Sequence, residues 1–401
     1  MTDPAAHRYR VIGLMSGTSF DAVDAAAADL ALDGDTITLR PLGLVSRPYP
    51  DEVRASLAAV LPPASTTLAE VCRLDTLIGR AFADVAAAAL TELCDGRADL
   101  VCSHGQTVFH WVEDGTVEGT LQLGRPAWIA ERTGLPVISD LRSADIAAGG
   151  QGAPLVPVLD VLWLRSRPGN PAALNLGGIA NITVDIGSDR PLAYDTGPAN
   201  ALLDAAIRSV TGEPYDRDGV RAARGRVLPD LLQRLLAEPY YARTPPKSTG
   251  KELFHLGYLA QAVPELGPDT LDDVLATLTE LTARTVADAL RRHRPTEVVA
   301  SGGGTRNPVL LRRLGELLDG VPLLPSDELG LESQAKEALA FALLGFLGVH
   351  GIPGTIPSCT GARHPSVLGS LSPAATPSPH RGNPRSLRVV RSELPYEATE
   401  F

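Results

Sequence analysis

The sequence predicts an α/β protein made of two domains of one topology that face each other across a ligand cleft. Three observations predict this. The chain has 401 residues, more than one ordinary hydrophobic core needs and about right for two domains. A strand–glycine turn–strand unit occurs twice, in "GLMSGTSFDAVD" (13–24) and in "LNLGGIAN" (174–181). Each half then repeats a second unit, a long helix followed by an apolar strand that runs into a polar glycine turn: 71–93 before "LVCSHGQT" (100–107), and 270–293 before "VVASGGGT" (298–305). Strand–turn–helix recurs in any α/β protein, so the repeat alone leaves a chance likeness open. Two such domains in one chain make a cleft between them the default ligand site.

In chain order, Arg10 to Met15 is an apolar strand that ends at Ser16, Gly17 and Thr18. The next segment, "DAVDAAAADLAL", reads as helix on alanine propensity. The pair Asp33-Gly34 that follows is a hairpin signal, and Thr36 to Ser46 alternates behind it. A two-residue turn needs a strand on each side, so the alanine segment is assigned to a strand. In the second half, "AALNLGG", "ANITVDIG" and "PLAYDTG" read as strands, and Asn200 to Ser209 is helical, with Leu202, Leu203 and Ile207 on one face. Thr270 with Asp273 looks like a capping box before a helix striped by Val274, Leu278 and Leu281. The expected division is 1–130 for domain I, with 345–372 returning to it, and 131–344 for domain II. Residues 373–401 are rich in Pro, Ser and Arg without periodicity and read as a disordered tail.

Composition narrows the partners. With 47 acidic and 36 basic residues the formal charge is −11, and the single basic cluster is Arg291, Arg292, His293 and Arg294. Nucleic acid is not an expected partner, because phosphate backbones need a basic face. No apolar run reaches the length of a membrane span, and the N-terminus lacks the apolar core of a signal peptide. Cys72, Cys94, Cys102 and Cys359 form no C-x-x-C pair, so each reads as a reduced small core residue of a cytoplasmic protein.

The glycine turns carry the chemistry. Gly17 lets the backbone approach an anion while Ser16, Thr18 and Ser19 add donors without charge. Asp21 and Asp24 follow closely enough to face a hydrated magnesium ion. Gly177 and Gly178 are the counterpart turn, and two such turns on one cleft could clamp a polyphosphate. Gly302, Gly303 and Gly304 precede a helix and suit an adenosine lying on the backbone. Capped hairpins and flexible loops remain the plainer readings of these turns. Neither a Walker A loop nor G-x-G-x-x-G occurs. His104 and His110 lie six apart across the expected turn with no carboxylate between them, so no protein-held metal centre is expected. Asp195-Thr196-Gly197 raises aspartic protease chemistry, which needs a second Asp-Thr-Gly or Asp-Ser-Gly, and none occurs. Asp195 is left as a capping residue of a helix N-terminal turn or as an ionised base beside a cleft.

Together these segments resemble the anhydro-N-acetylmuramic acid kinase family of the actin-like ATPase superfamily. The likeness also runs through "LQLGRPAWIAERTG", "DLRSADIAAGGQGAPLVP", "YDTGPANALLD", "STGKELFHLGYL", "GGGTRNP", "KEALAFALL" and "SCTGARHPSVLG", in order from residue 13 to about 370. The resemblance implies two actin-like (ribonuclease H-like) domains, ATP and Mg²⁺ as cofactors, and a cytoplasmic enzyme that admits a homodimer. It implies phosphorylation of a small amino sugar, 1,6-anhydro-N-acetylmuramic acid, at its 6-oxygen while water opens the anhydro ring, a step of cell-wall recycling. Gly17, Thr18, Ser19, Phe20, Asp21, Ala22, Val23 and Asp24 would hold ATP phosphates, with Gly177, Gly178 and Gly302 to Gly304 facing the same nucleotide. Asp195 would be the catalytic base with Glu337 near it. His104, Gln106, Arg142, Asn181 and Asn200 would contact the sugar. The chain departs from the family pattern at Ala22, usually glycine, and at Ser143 and Ala144, where arginines are frequent. Those departures keep two other readings open: another sugar kinase of the superfamily, or a catalytically silent nucleotide-binding regulator.

Overall fold

The computed structural model describes residues 8–17, 19–185, 190–245, 247–250 and 252–374. Thr18 and all but the first two residues of the expected tail at 373–401 lie outside them. The first half opens with strands β1 (Arg8–Ser16), β2 (Ala22–Asp33) and β3 (Thr36–Pro48), followed by β4 (Leu100–Glu113), β5 (Thr116–Leu123) and β6 (Val137–Ser139). The second half contains β7 (Pro171–Leu176), β8 (Ile179–Val184), β9 (Leu192–Pro198), β10 (Glu297–Ser301) and β11 (Leu323–Pro325), and β12 (Ser370–Ser372) comes last.

The strands form a seven-stranded and a five-stranded sheet wound alike. One runs β12-β6-β4-β1-β2-β3 with β5 on β4, the other β11-β10-β7-β8-β9. In each, three antiparallel strands form a meander and a later strand pairs parallel with the first of them: β4 with β1, β10 with β7. A further parallel strand follows, β6 beside β4 and β11 beside β10. This is an α/β architecture of two like-wound, ribonuclease H-like domains. The boundary expected after residue 130 falls inside the first sheet, since β6 pairs with β4 and β12 with β6.

The alanine segment is a strand because both of its faces are buried. Val23, Ala25 and Ala27 join the core under helix Leu68–Glu92, while Ala26, Ala28 and Leu30 join the core under helix Lys336–Val349. Small side chains let that second helix lie close to the sheet. A Cβ on Gly13 would come within 1.9 Å of the Ala338 carbonyl oxygen, and one on Gly345 within 2.5 Å of the Cys102 Cβ. Close packing here fixes the helix whose first turn carries Glu337. The hairpin turn sits one residue later than Asp33-Gly34, with Asp33 pairing Thr36 and Gly34 at φ +59°.

Three expectations fail locally. The segment 104–107 does not turn: β4 continues to Glu113 and pairs with β5. Gly105 takes φ +71°, and a Cβ there would meet the Leu123 carbonyl oxygen at 2.8 Å, so glycine bends the strand without ending it. His104 and His110 therefore sit on one strand rather than across a turn. Thr270 does not cap its helix; its hydroxyl donates to the Glu265 and Gly267 carbonyls, while Asp273 accepts from the Arg226 amide. Cys94, Cys102 and Cys359 are buried, but Cys72 is exposed. Among the described residues no helix is long and apolar enough to cross a membrane.

Candidate active site

A cavity of about 1270 Å³ opens between the two sheets. Asp24, His110, Val112 and Val117 line it from the first sheet. Asn175, Gly177, Asn181, Tyr194, Asp195, Gly302 and Gly303 line it from the second. The loop carrying Arg243, Lys247, Ser248, Thr249 and Glu252 borders Asp195, and Lys336 and Glu337 close another wall.

Asp195 lies within β9, opposite Asn181 on β8 and next to a register shift between Ala180 and Asn181. The loop after residue 244 grips it as a short extra strand would. Its backbone N–H donates to the Lys247 carbonyl at 3.2 Å, and its Oδ2 accepts the Thr249 N–H at 2.9 Å. Its carbonyl accepts the Tyr240 hydroxyl at 2.8 Å. Burial pushes its carboxyl up to about 6, assisted by the nearby charge of Glu252 and opposed by the Thr249 amide and Lys247. An aspartate so tuned is ionised at neutral pH and still basic enough to take a proton. It caps no helix: the helix Asn200–Thr211 has no side-chain cap.

The glycine turns fit a phosphate-bearing ligand. A Cβ on Gly303 would meet nothing within 4 Å, and one on Gly17 only the Ser19 hydroxyl at 4.0 Å, so this backbone faces open space. At Gly302, φ is +89° and a Cβ would meet Asn175 Oδ1 at 2.6 Å and the Leu176 carbonyl oxygen at 2.8 Å, so glycine sets the path of the loop. Asn200 donates to the Gly177 carbonyl at 2.8 Å and to that of Leu176 at 3.3 Å, while Gly178 accepts the amides of Ala199 and Ala201. Asn200, Gly178 and the buried Gly304 thus shape the turns from behind, without lining the cavity.

The first-domain turn is braced in the same way. Gln106 is buried; its Oε1 accepts the Ser16 hydroxyl at 2.8 Å and that of Tyr49 at 3.2 Å, and its Nε2 donates to the Gly17 carbonyl at 3.2 Å. Phe20 closes the turn with its N–H on the Gly17 carbonyl at 3.1 Å, at a left-handed φ of +44°. Ala22 has no positive φ and begins β2 opposite Pro48, so its methyl is accommodated. Val23 is core, Asp21 is exposed at the turn, and among the described residues of this segment Asp24 alone lines the cavity.

Arg142 and His104 form a pair beneath the cleft. Arg142 donates from Nε to His104 Nε2 at 2.9 Å and from Nη1 to the Gly152 carbonyl at 2.6 Å. Burial first, then the Arg142 charge, drives His104 down to about 3, so its imidazole is neutral, with Nδ1 2.9 Å from the Gly105 carbonyl. Burial also lowers Arg142, to about 10. Neither side chain lines the cavity. At Ser143 the hydroxyl donates to Asp140 at 2.6 Å.

At the other wall, Lys336 is buried and pairs with Asp160 at 2.6 Å while donating to the Ser301 hydroxyl at 3.0 Å. The hydrogen bond to Ser301 fastens the start of helix Lys336–Val349 to β10 of the second sheet, and the ion pair fastens it to helix Pro157–Arg165. Glu337 opens onto the cleft, yet the crowding of the walls, and then the charge of Asp24, push its carboxyl up.

The cavity thus gathers Asp24, Gly177, Asn181, Asp195, Gly302, Gly303 and Glu337 from the expected site. Gly17, Ser19, Phe20, Asp21, Ala22, Val23, Gly178, Asn200, Gly304, His104, Gln106 and Arg142 stand outside its lining. It adds Asp160, Arg243, Lys247, Thr249, Glu252 and Lys336, to which the sequence reading assigned no role. A signal existed for one of them: Asp160 is a charge inside the apolar run "PVLDVLWL", where an unpaired charge would be costly. For the loop residues no local signal existed.

Two like-wound domains with glycine turns and a buffered aspartate on a shared cleft define the class as a two-domain, actin-like phosphotransferase architecture. The anhydro-N-acetylmuramic acid kinase family model matches residues 9–374. The chain belongs to that family, which makes it a kinase and an ATP-binding protein. It is 63% identical over 387 residues to an anhydro-N-acetylmuramic acid kinase of Streptomyces coelicolor, covering 95% of this chain and 99% of the relative. The enzyme of that name from Streptomyces avermitilis is 65% identical over 366 residues, covering 91% and 94%. The one from Rhodococcus erythropolis is 60% identical over 389 residues, covering 95% and 97%.

Proposed function

We propose that this chain phosphorylates 1,6-anhydro-N-acetylmuramic acid at the 6-oxygen with hydrolytic opening of the anhydro ring, and that Asp195 is the general base. The observation that carries the mechanism is the held carboxylate: Asp195 is fixed at backbone and side chain, tuned upward by burial, and open to the cavity. Asp195 removes a proton from water, which adds to the anomeric carbon. The bond from that carbon to O6 breaks, and O6 takes the γ-phosphoryl group of ATP, releasing ADP. No separate acid is needed, since phosphorus captures the departing oxygen.

The backbone of Gly177 and Gly303 on the cavity wall, and of Gly17 facing open space, supports an approach of phosphates or nucleotide to the main chain. Asp24 and Glu337, whose charges interact, would hold Mg²⁺ together with phosphate oxygens. When bound, the ion neutralises charge on the transferring group. Closure of the walls around Asp195 would exclude bulk water and limit wasteful ATP hydrolysis. The setting is cytoplasmic, where ATP and reduced thiols coexist, and sedimentation velocity tests the homodimer.

A coupled ADP-release assay over anhydro- and ordinary amino sugars tests the substrate class. Labelled water tests the chemistry, with label expected at the anomeric carbon. Turnover of ordinary amino sugars without that label would instead support direct deprotonation of a sugar hydroxyl. ATP binding without turnover on any sugar would leave a silent regulator.

A further inference from the structure

We infer that Arg243 binds the substrate's carboxylate and selects for sugars that carry one; the inference rests on the reaction proposed above. That substrate bears a lactyl carboxylate, and the wall around the base already holds two carboxyl groups, Asp195 and Glu252. A third carboxylate entering this wall needs a cation with free donors.

Among the described residues, four side chains able to carry positive charge line the cavity: His110, Arg243, Lys247 and Lys336. Lys336 is committed to Asp160 and Ser301. Lys247 is buried, and its ammonium donates to the carbonyls of Tyr240 and Tyr241, each at 3.2 Å. His110 sits 3.0 Å from the Thr120 hydroxyl, and burial followed by the Arg142 charge pushes it toward its neutral form. Arg142 does not line the cavity and is spent on His104 and Gly152.

Arg243 differs from all of these. It is exposed, and among the described residues no carboxylate lies within ion-pair distance of it. Its side chain lies over the face of Tyr240, 5.7 Å from guanidinium carbon to ring centre. Stacking on a ring leaves the donor edges of the guanidinium free for a bidentate carboxylate. Its place is fixed relative to the base: its backbone N–H donates to the Tyr240 carbonyl at 3.1 Å, and the Tyr240 hydroxyl holds the Asp195 carbonyl. Its charge reaches Lys247, which lies beside Asp195.

The test uses Arg243→Gln and Arg243→Lys in the full chain with two sugars, 1,6-anhydro-N-acetylmuramic acid and 1,6-anhydro-N-acetylglucosamine, which lacks the lactyl group. Turnover is measured by ADP release and binding by calorimetry. The glutamine variant is expected to raise the KM and Kd of the carboxylate sugar by about 10- to 100-fold. Its kcat should stay near the parent's, the neutral sugar should be little affected, and lysine should restore part of the loss. Equal effects on both sugars, or none on either, would overturn the role of Arg243 alone. Selective loss of binding in a protein that turns over neither sugar would keep that role and remove the reaction. Failure of the parent to bind the carboxylate sugar would remove both.

Discussion

Thr249 donates its backbone N–H to Oδ2 of Asp195 at 2.9 Å, across 54 residues of sequence. This bond holds one carboxylate oxygen in place and lowers the carboxyl, partly offsetting the burial that raises it. The result is an aspartate near 6 rather than 3.8, and its protonation can be read in two ways.

Activity that needs ionised Asp195 falls as pH drops through about 6. The pH profile of kcat/KM is expected to show that acid limb. Removing the opposing cation with Lys247→Met should move the limb to higher pH, because Lys247 favours the ionised form. An acid limb near pH 4 in the parent would contradict a buried base.

Asp195→Asn should lower kcat by about 10²–10⁴-fold while calorimetry still detects ATP and sugar. Stability supplies a control with a definite sign. A carboxyl raised from 3.8 to about 6 binds its proton more tightly when folded, so the parent loses stability as pH rises between those values. The amide variant escapes that loss, and its melting temperature relative to the parent should improve from pH 4 to pH 6. A folded variant with near-parental kcat would transfer the role of base to another group, with Glu337 the next candidate.

Gly303→Val and Gly302→Val should separate binding from folding. Position 303 has open space around a new Cβ, so valine should fold normally and weaken ATP more than sugar. At position 302 φ is +89° and a new Cβ would meet a backbone oxygen at 2.8 Å, so valine there should lower the melting temperature sharply. Calorimetry and thermal melts on the two variants check the contrast. Loss of sugar binding at 303 would show that this loop serves the other ligand.

Arg142→Ala removes the donor to His104 Nε2 and to the Gly152 carbonyl, leaving both buried groups short of a partner. Denaturant titration should record a loss of about 1.5–3 kcal/mol. Any KM change should be equal for sugars with and without a carboxylate. A selective loss with the carboxylate sugar would assign carboxylate recognition to Arg142.

The sequence by itself determined what short-range grammar can carry. The turn at Gly34 forced the alanine segment into β2 although its composition favours helix, because a tight hairpin needs strands on both sides. The glycine turns at 17, 177 and 302 to 304 were legible because glycine after an apolar strand marks a backbone that must turn or stay uncovered. Only the tertiary structure decided what lies behind those turns. Gln106 braces Gly17, Asn200 braces Gly177, and Lys336 pins the Glu337 helix through Asp160 and Ser301. The same holds for β4, where a polar glycine segment that reads locally as a turn continues as strand because β1 and β5 offer its backbone partners. The grip of the loop at Lys247 and Thr249 on Asp195 is likewise a product of packing. Periodicity and turn chemistry act between neighbours a few residues apart, whereas burial and ion pairing depend on which distant segments the two sheets bring together.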